Sequence, residues 1–177
     1  MKRFFLPAMI CSLVIFSACN NNATNTTSSD STSKDSMAEK SSMSSDMATG
    51  SNDMMNKKGI TLTSAQEVPA NTSAASGTAD VSYNKGSHML TFTVNWSALT
   101  GIPMMAHIHG TAAKGVNASV KQDLSKLLTK SIAGSFTDSI KVDGNSIKED
   151  SLLAGFYYFN IHTPAHPGGE IRGQIEF

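Results

Sequence analysis

Four of the chain's five histidines fall within two short stretches that look extended. His107 and His109 are two apart in Ala106-His107-Ile108-His109-Gly110. On a strand, residues i and i+2 share a face, so both imidazoles project together while Ile108 points the other way. Two neutral imidazoles so placed form a chelating pair for one metal ion. His162 ends a second apolar stretch, on the face it shares with Tyr158 and Asn160, and His166 follows in the Pro164-Ala165-His166-Pro167 loop. If the two stretches are neighbours in a sheet, His107, His109, His162 and His166 converge as a set suited to copper or zinc. Glu170 is then positioned to add a carboxylate ligand, or to fix a ring tautomer from outside the ligand set. The same residues admit a structural role. Arg172 can pair bidentately with Glu67 or Glu170, which would make the His/Arg/Glu cluster a polar plug at one end of the fold. His88 follows Gly86-Ser87 in a turn and is expected to be exposed.

Other chemistry is sparse. There is no G-x-S-x-G nucleophile elbow and no phosphate loop. Lysine plus arginine and aspartate plus glutamate number 14 each, and no basic stripe interleaves with aromatics, which argues against nucleic acid as a partner. Met37, Met43, Met47, Met54 and Met55 recur in a segment otherwise poor in hydrophobes. Thioethers are soft ligands, so this tract either handles Cu(I) or merely tolerates methionine in a polar linker.

The elements that must position the histidines have mostly period two. Ala79-Asp80-Val81-Ser82-Tyr83 alternates, and Asn84-Lys85-Gly86-Ser87 is a turn. Leu90, Phe92, Val94 and Trp96 then share one strand face, with Thr91, Thr93 and Asn95 on the other. Ser135 to Val142 alternates weakly and stops at Asp143-Gly144-Asn145. Phe156 to Thr163 is strand-like, and Glu170 to Phe177 alternates with Ile171, Gly173, Ile175 and Phe177 on one side. A close backbone approach or bulge is expected at Gly173. This pattern predicts an all-β antiparallel sandwich or barrel. Val116, Val120, Leu124, Leu127 and Leu128 fall at helical spacing, so the same reading admits one short helix over 118–130, with a short strand and loop as the alternative.

The N-terminal third carries no such pattern. Residues 19–58 are Ser-, Asn- and Met-rich, with no aromatic and no Val, Ile or Leu, and so have no burial to offset an ordering cost of roughly 1–2 kcal/mol per residue. They read as a disordered tether, and a coil of about 40 residues reaches roughly 35 Å. Before it, Lys2 and Arg3 precede an apolar run from Phe4 to Phe16, too short for the roughly 20 residues a spanning helix needs but suited to a signal peptide over 1–18. Phe16-Ser17-Ala18-Cys19 resembles the bacterial lipobox, which implies lipidation of Cys19. Without the lipobox the segment is an ordinary secretory signal. Two or three acyl chains, at about 0.8 kcal/mol per buried CH2, would anchor the protein stably to the cell envelope. The outer membrane or the cell surface is then the expected location. Cys11 would leave with the signal, so the mature chain could form no internal disulfide.

Beyond the tether, several motifs fall in a recognisable order. They are Gln66-Glu67-Val68-Pro69, Gly77-Thr78-Ala79, Ala106-His107-Ile108-His109-Gly110, Tyr158-Phe159-Asn160-Ile161-His162-Thr163 and Pro167-Gly168-Gly169-Glu170-Ile171-Arg172-Gly173-Gln174-Ile175. Residues 59–177 thereby resemble the CHRD (chordin-like) domain. The resemblance implies an immunoglobulin-like sandwich or barrel and carries no established activity for a bacterial member. Three functions are open to such a chain. It is a non-catalytic envelope lipoprotein displaying a binding or structural module to a protein or carbohydrate partner, or a copper- or zinc-binding lipoprotein using its His cluster. The third is a redox enzyme similar to copper/zinc superoxide dismutase, whose bridging histidine, aspartate and disulfide pattern are not visible here.

Overall fold

The computed structural model describes residues 53–177. Cys19, Met37, Met43, Met47 and the signal-peptide segment lie outside the described residues. Eight strands run Met54–Thr63 (β1), Ser76–Asn84 (β2), Met89–Ser97 (β3), Met105–Gly110 (β4), Val120–Asp123 (β5), Gly134–Lys141 (β6), Tyr157–Thr163 (β7) and His166–Ile175 (β8), with one short helix at Glu149–Leu153 (α1). They form a single antiparallel sheet in the order β5-β4-β7-β8-β1-β2-β3-β6.

That sheet is curled. Phe92 on β3 and Phe159 on β7 bring their rings to 5.2 Å, although three strands separate theirs in the order. In a flat sheet with strands about 4.8 Å apart they would lie about 19 Å from each other. The two halves therefore face one another across one core, the all-β sandwich or barrel that the alternation predicts. Leu90, Phe92, Val94 and Trp96 all point into it and are buried, together with Ala106, Ile108, Phe159, Ile161, Ile171 and Ile175. On the opposite face of β3, Thr91 and Thr93 bond to Ser139 and Thr137 of β6 at 2.7 and 2.8 Å.

Three elements differ from the sequence expectation. No helix occupies 118–130: Val120–Asp123 is strand β5, followed by a 3-10 turn at Ser125–Leu127. The physical reason is the open edge of β4. Gly110 donates to the Ser119 carbonyl at 3.1 Å and Leu124 donates to that of Ala106 at 2.8 Å, satisfying backbone groups that a helix would leave bare. The helical spacing marked no continuous buried face either: Leu124 is buried and Leu127 and Leu128 pack against the core, but Val116 and Val120 are 53 % and 48 % exposed. Second, β1 starts at Met54, so residues 54–58, read as tether, pair with β2 from Met54↔Asn84 to Lys57↔Val81. Met55 packs against the core, which removes it from any free thioether tract. Third, α1 was not expected. Glu149 and Asp150 occupy its first turn, where negative charge favours the helix dipole, and it buries Leu152.

Candidate metal centre

β8 is buried on both faces. Ile171 and Ile175 enter the apolar core, while Glu170, Arg172 and Gln174 are buried in a polar environment on the other side. β7 divides likewise, with Phe159 and Ile161 in the core and Asn160 and His162 among the buried polar residues. On β4, Ala106 and Ile108 face the core, and Met105, His107 and His109 face away from it. The segment between β4 and β5 roofs this second, polar layer: Arg172 donates to the Val116 carbonyl at 3.0 Å and Gln174 to that of Ala112 at 3.1 Å.

β4 and β7 are neighbours, as the convergence of the histidines requires. His107 is opposite Asn160 and His109 is opposite Tyr158 in the register. The His109 and Tyr158 rings stack at 4.9 Å with an interplanar angle of 3°, and the His107 and His162 centroids are also 4.9 Å apart. His107, His109 and His162 each offer a ring nitrogen, and the three nitrogens lie within 4.8 Å of one another.

The outer hydrogen bonds of the rings decide where their lone pairs point. His109 Nδ1 lies 2.8 Å from the Ala118 carbonyl oxygen, and His162 Nδ1 lies 3.0 Å from that of Pro167. A carbonyl only accepts, so both Nδ1 atoms carry the proton and both Nε2 atoms carry a lone pair. His109 Nε2 is buried without any partner. His162 Nε2 lies 3.0 Å from His107 Nδ1 and 3.0 Å from Asn160 Oδ1, so a lone pair on Nε2 requires the Asn160 amide turned to present its NH2 group there. The outer nitrogen of His107, Nε2, faces Asp123 Oδ1 at 4.0 Å. If the His107 proton moves through solvent from Nδ1 to Nε2, it stays on the ring, which remains neutral with its N–H toward the Asp123 carboxylate 4.0 Å away. His107 Nδ1, His109 Nε2 and His162 Nε2 then all carry lone pairs within a cluster whose nitrogens lie no more than 4.8 Å apart. Zinc–nitrogen bonds of about 2.0–2.1 Å in a tetrahedron put ligand nitrogens about 3.3 Å apart, close to the 3.0 Å between His107 and His162.

Electrostatics keep the three rings ready to ligate. Burial lowers the pKa of all three below the ordinary histidine value, because it penalises the charged form. The charge of His109 adds to this at His107, and the charges of His107 and His109 add to it at His162. Neutral imidazoles are the form that binds metal.

The other sequence candidates do not join the cluster. His166 is outside it and lines a separate cavity of about 230 Å³ with Glu67, Asn71, Pro167 and Gly169. It sits opposite Thr163, where an irregularity in the β7–β8 register breaks the alternation that would have aligned it with His162. Glu170 is no ligand: Ser73, Thr100 and Thr163 consume both its oxygens. The expected ion pair of Arg172 with Glu67 or Glu170 does not form. The guanidinium instead lies 3.5 Å over the Tyr158 ring and bonds to Val116, Asn117 and Gln174. Glu67 Oε1 is buried without a hydrogen-bond partner, and burial raises the Glu67 pKa to about 7 against the opposing charge of Arg172. These polar residues therefore form a buried layer but not one ion-paired cluster. His88 is half-exposed and 3.7 Å from Glu149.

Sequence reasoning missed the residues that orient the rings. Asp123 was hidden by the helix reading of its segment, and the Ala118 and Pro167 carbonyls carry no side-chain signal at all. Asn160 and Tyr158 were placed on the correct face by period two.

The CHRD domain profile matches residues 59–175. No curated protein and no solved structure matches the chain. With about two thirds of its length matched, and with the His107–His109 strand and the Glu170–Ile175 strand inside the match, the chain belongs to the CHRD domain family.

Proposed function

We propose that this CHRD protein is a non-catalytic, lipid-anchored module of the cell envelope that holds copper or zinc at His107, His109 and His162. The observation that carries the reading is the orientation of the rings. Backbone carbonyls tie the outer nitrogens of His109 and His162, a carboxylate stands beside that of His107, and the inner nitrogens face one another. Metal-binding histidines are commonly held in this way from behind. Metal binding takes precedence over display to a protein or carbohydrate partner because of His109 Nε2. A purely structural plug would give that buried nitrogen a hydrogen bond, and it has none. The signal and lipobox resemblance at Cys19 supports the anchor, and the outer membrane or cell surface is its place in this reading.

The test is titration of the full-length protein, purified in detergent, with Cu(I), Cu(II) and Zn(II). Binding of one ion per chain is expected, with a dissociation constant well below about 1 μM. The His107→Ala/His109→Ala variant should weaken it by more than about 100-fold, beyond what loss of an outer-shell partner costs. Affinity no tighter than micromolar for all three ions would sink the metal reading and leave the histidines a structural layer. The anchor has its own test. Cys19→Ser should move the protein from the membrane fraction to the soluble fraction, and persistent membrane association would refute lipidation at that residue.

A further inference from the structure

We infer that Met105 supplies a thioether as the fourth ligand of this site and so makes it select Cu(I) over Zn(II). The inference rests on the three-histidine reading above and adds the metal's identity. Met105 is on the same face of β4 as His107 and His109, because Ala106 and Ile108 between them are buried in the apolar core. Across the ladder it is directly opposite His162. Directly opposite residues bring their Cβ atoms to about 4.5–5.5 Å, and the pair His109/Tyr158 on the same two strands shows ring contact at 4.9 Å. Met105 thus stands beside the nitrogen cluster, and its three rotatable bonds let the sulfur swing over it.

Packing does not account for this methionine. Met105 is 36 % exposed and lies outside the apolar core and the side chains packed against it. Its chemistry also fits the remaining ligand set. Imidazole binds zinc and copper alike, whereas a thioether is a soft ligand that favours Cu(I). Charge points the same way. Imidazole ligands carry no charge when they bind metal, and Asp123 stands behind His107 instead of among the inner nitrogens. The Arg172 guanidinium lies over Tyr158, which stacks on His109. A neutral ligand set beside a fixed positive charge costs a dication about twice what it costs a monocation at the same distance.

The experiment compares the full-length protein in detergent with Met105→Leu and with His107→Ala/His109→Ala. Cu(I) affinity is measured anaerobically against a chromophoric Cu(I) chelator, and Zn(II) affinity in parallel. Leucine keeps the side-chain volume, so folding should be preserved. Met105→Leu is expected to weaken Cu(I) by about tenfold or more and to leave Zn(II) unchanged. X-ray absorption of the Cu(I) form should show one sulfur scatterer that the variant lacks. Unchanged Cu(I) affinity, no sulfur scatterer, or an equal loss for both metals would overturn the role of Met105. The two ideas fail separately: if His107→Ala/His109→Ala binds as tightly as the parent, the histidine site itself is wrong.

Discussion

Gly173→Val is expected to leave the β domain largely unfolded at physiological temperature. A Cβ at position 173 would sit 2.7 Å from the Thr61 carbonyl oxygen and 2.9 Å from both Cγ and Cδ1 of Leu62. β8 is an interior strand, with β7 on one side and β1 on the other, and Leu62 is wholly buried. A crowded side chain can change rotamer, but a backbone carbonyl cannot move without displacing β1 from the core. Overpacking typically costs about 1–3 kcal/mol and occasionally more. Because valine adds two further methyls against backbone, a cost of about 3–5 kcal/mol is expected, comparable with the low end of total domain stability. Urea denaturation of the parent and variant measures it. A midpoint within error of the parent would refute the close approach.

Glu170→Gln should be nearly as damaging, for an electrostatic reason. Glu170 is fully buried. Its Oε1 accepts from Ser73 Oγ at 2.6 Å and from the Thr100 amide at 2.8 Å. Its Oε2 accepts from Thr100 Oγ1 at 2.9 Å and Thr163 Oγ1 at 2.5 Å. Four donors thus converge on two oxygens and draw the β2 approach, the segment after β3 and the end of β7 onto β8. Glutamine retains one oxygen and turns an NH2 group toward two donors. Losing two charge-assisted bonds and burying unpaired donors costs about 3–5 kcal/mol. The pH dependence carries a further signature. Burial pushes the Glu170 pKa up, but the hydrogen bonds outweigh it and the net shift is downward. Because the folded state favours the charged carboxylate, its contribution is present above the unfolded value of 4.5 and is lost as pH falls through the folded pKa. The parent should therefore lose stability on acidification below about pH 4.5 by a component that the glutamine variant lacks. Parallel pH–stability curves for the two proteins would show that Glu170 does no such work.

Both residues were visible in the sequence in different degrees. Gly173 interrupts an alternating strand, and that alone pointed to a bulge or close approach; the structure shows the close approach. Glu170 looked like a metal ligand or the partner of Arg172 because charge and sequence proximity suggest both. Neither holds, because Ser73 and Thr100 arrive from loops roughly 100 and 70 residues away and occupy its oxygens. Arg172 was likewise assigned to a carboxylate and instead rests on the Tyr158 ring.

Alone, the order of residues determined the all-β class, the turn before Met89, the inward face of Leu90 to Trp96, and the sharing of one face by His107 and His109. These follow from period two and turn chemistry, which are local properties of the chain. Tertiary structure decided what depends on pairing. β4 and β7 are joined by register, which brings His162 to His107 across 55 positions, and a slip of one residue would have turned either ring to the other face. The open edge of β4 made a strand of a segment with helical spacing. The carbonyls of Ala118 and Pro167 fixed the ring tautomers, and a register irregularity beside Thr163 excluded His166. Backbone hydrogen bonding is indifferent to side-chain type, so a pattern of residues cannot announce which edge it will find or which carbonyl will stand behind a ring.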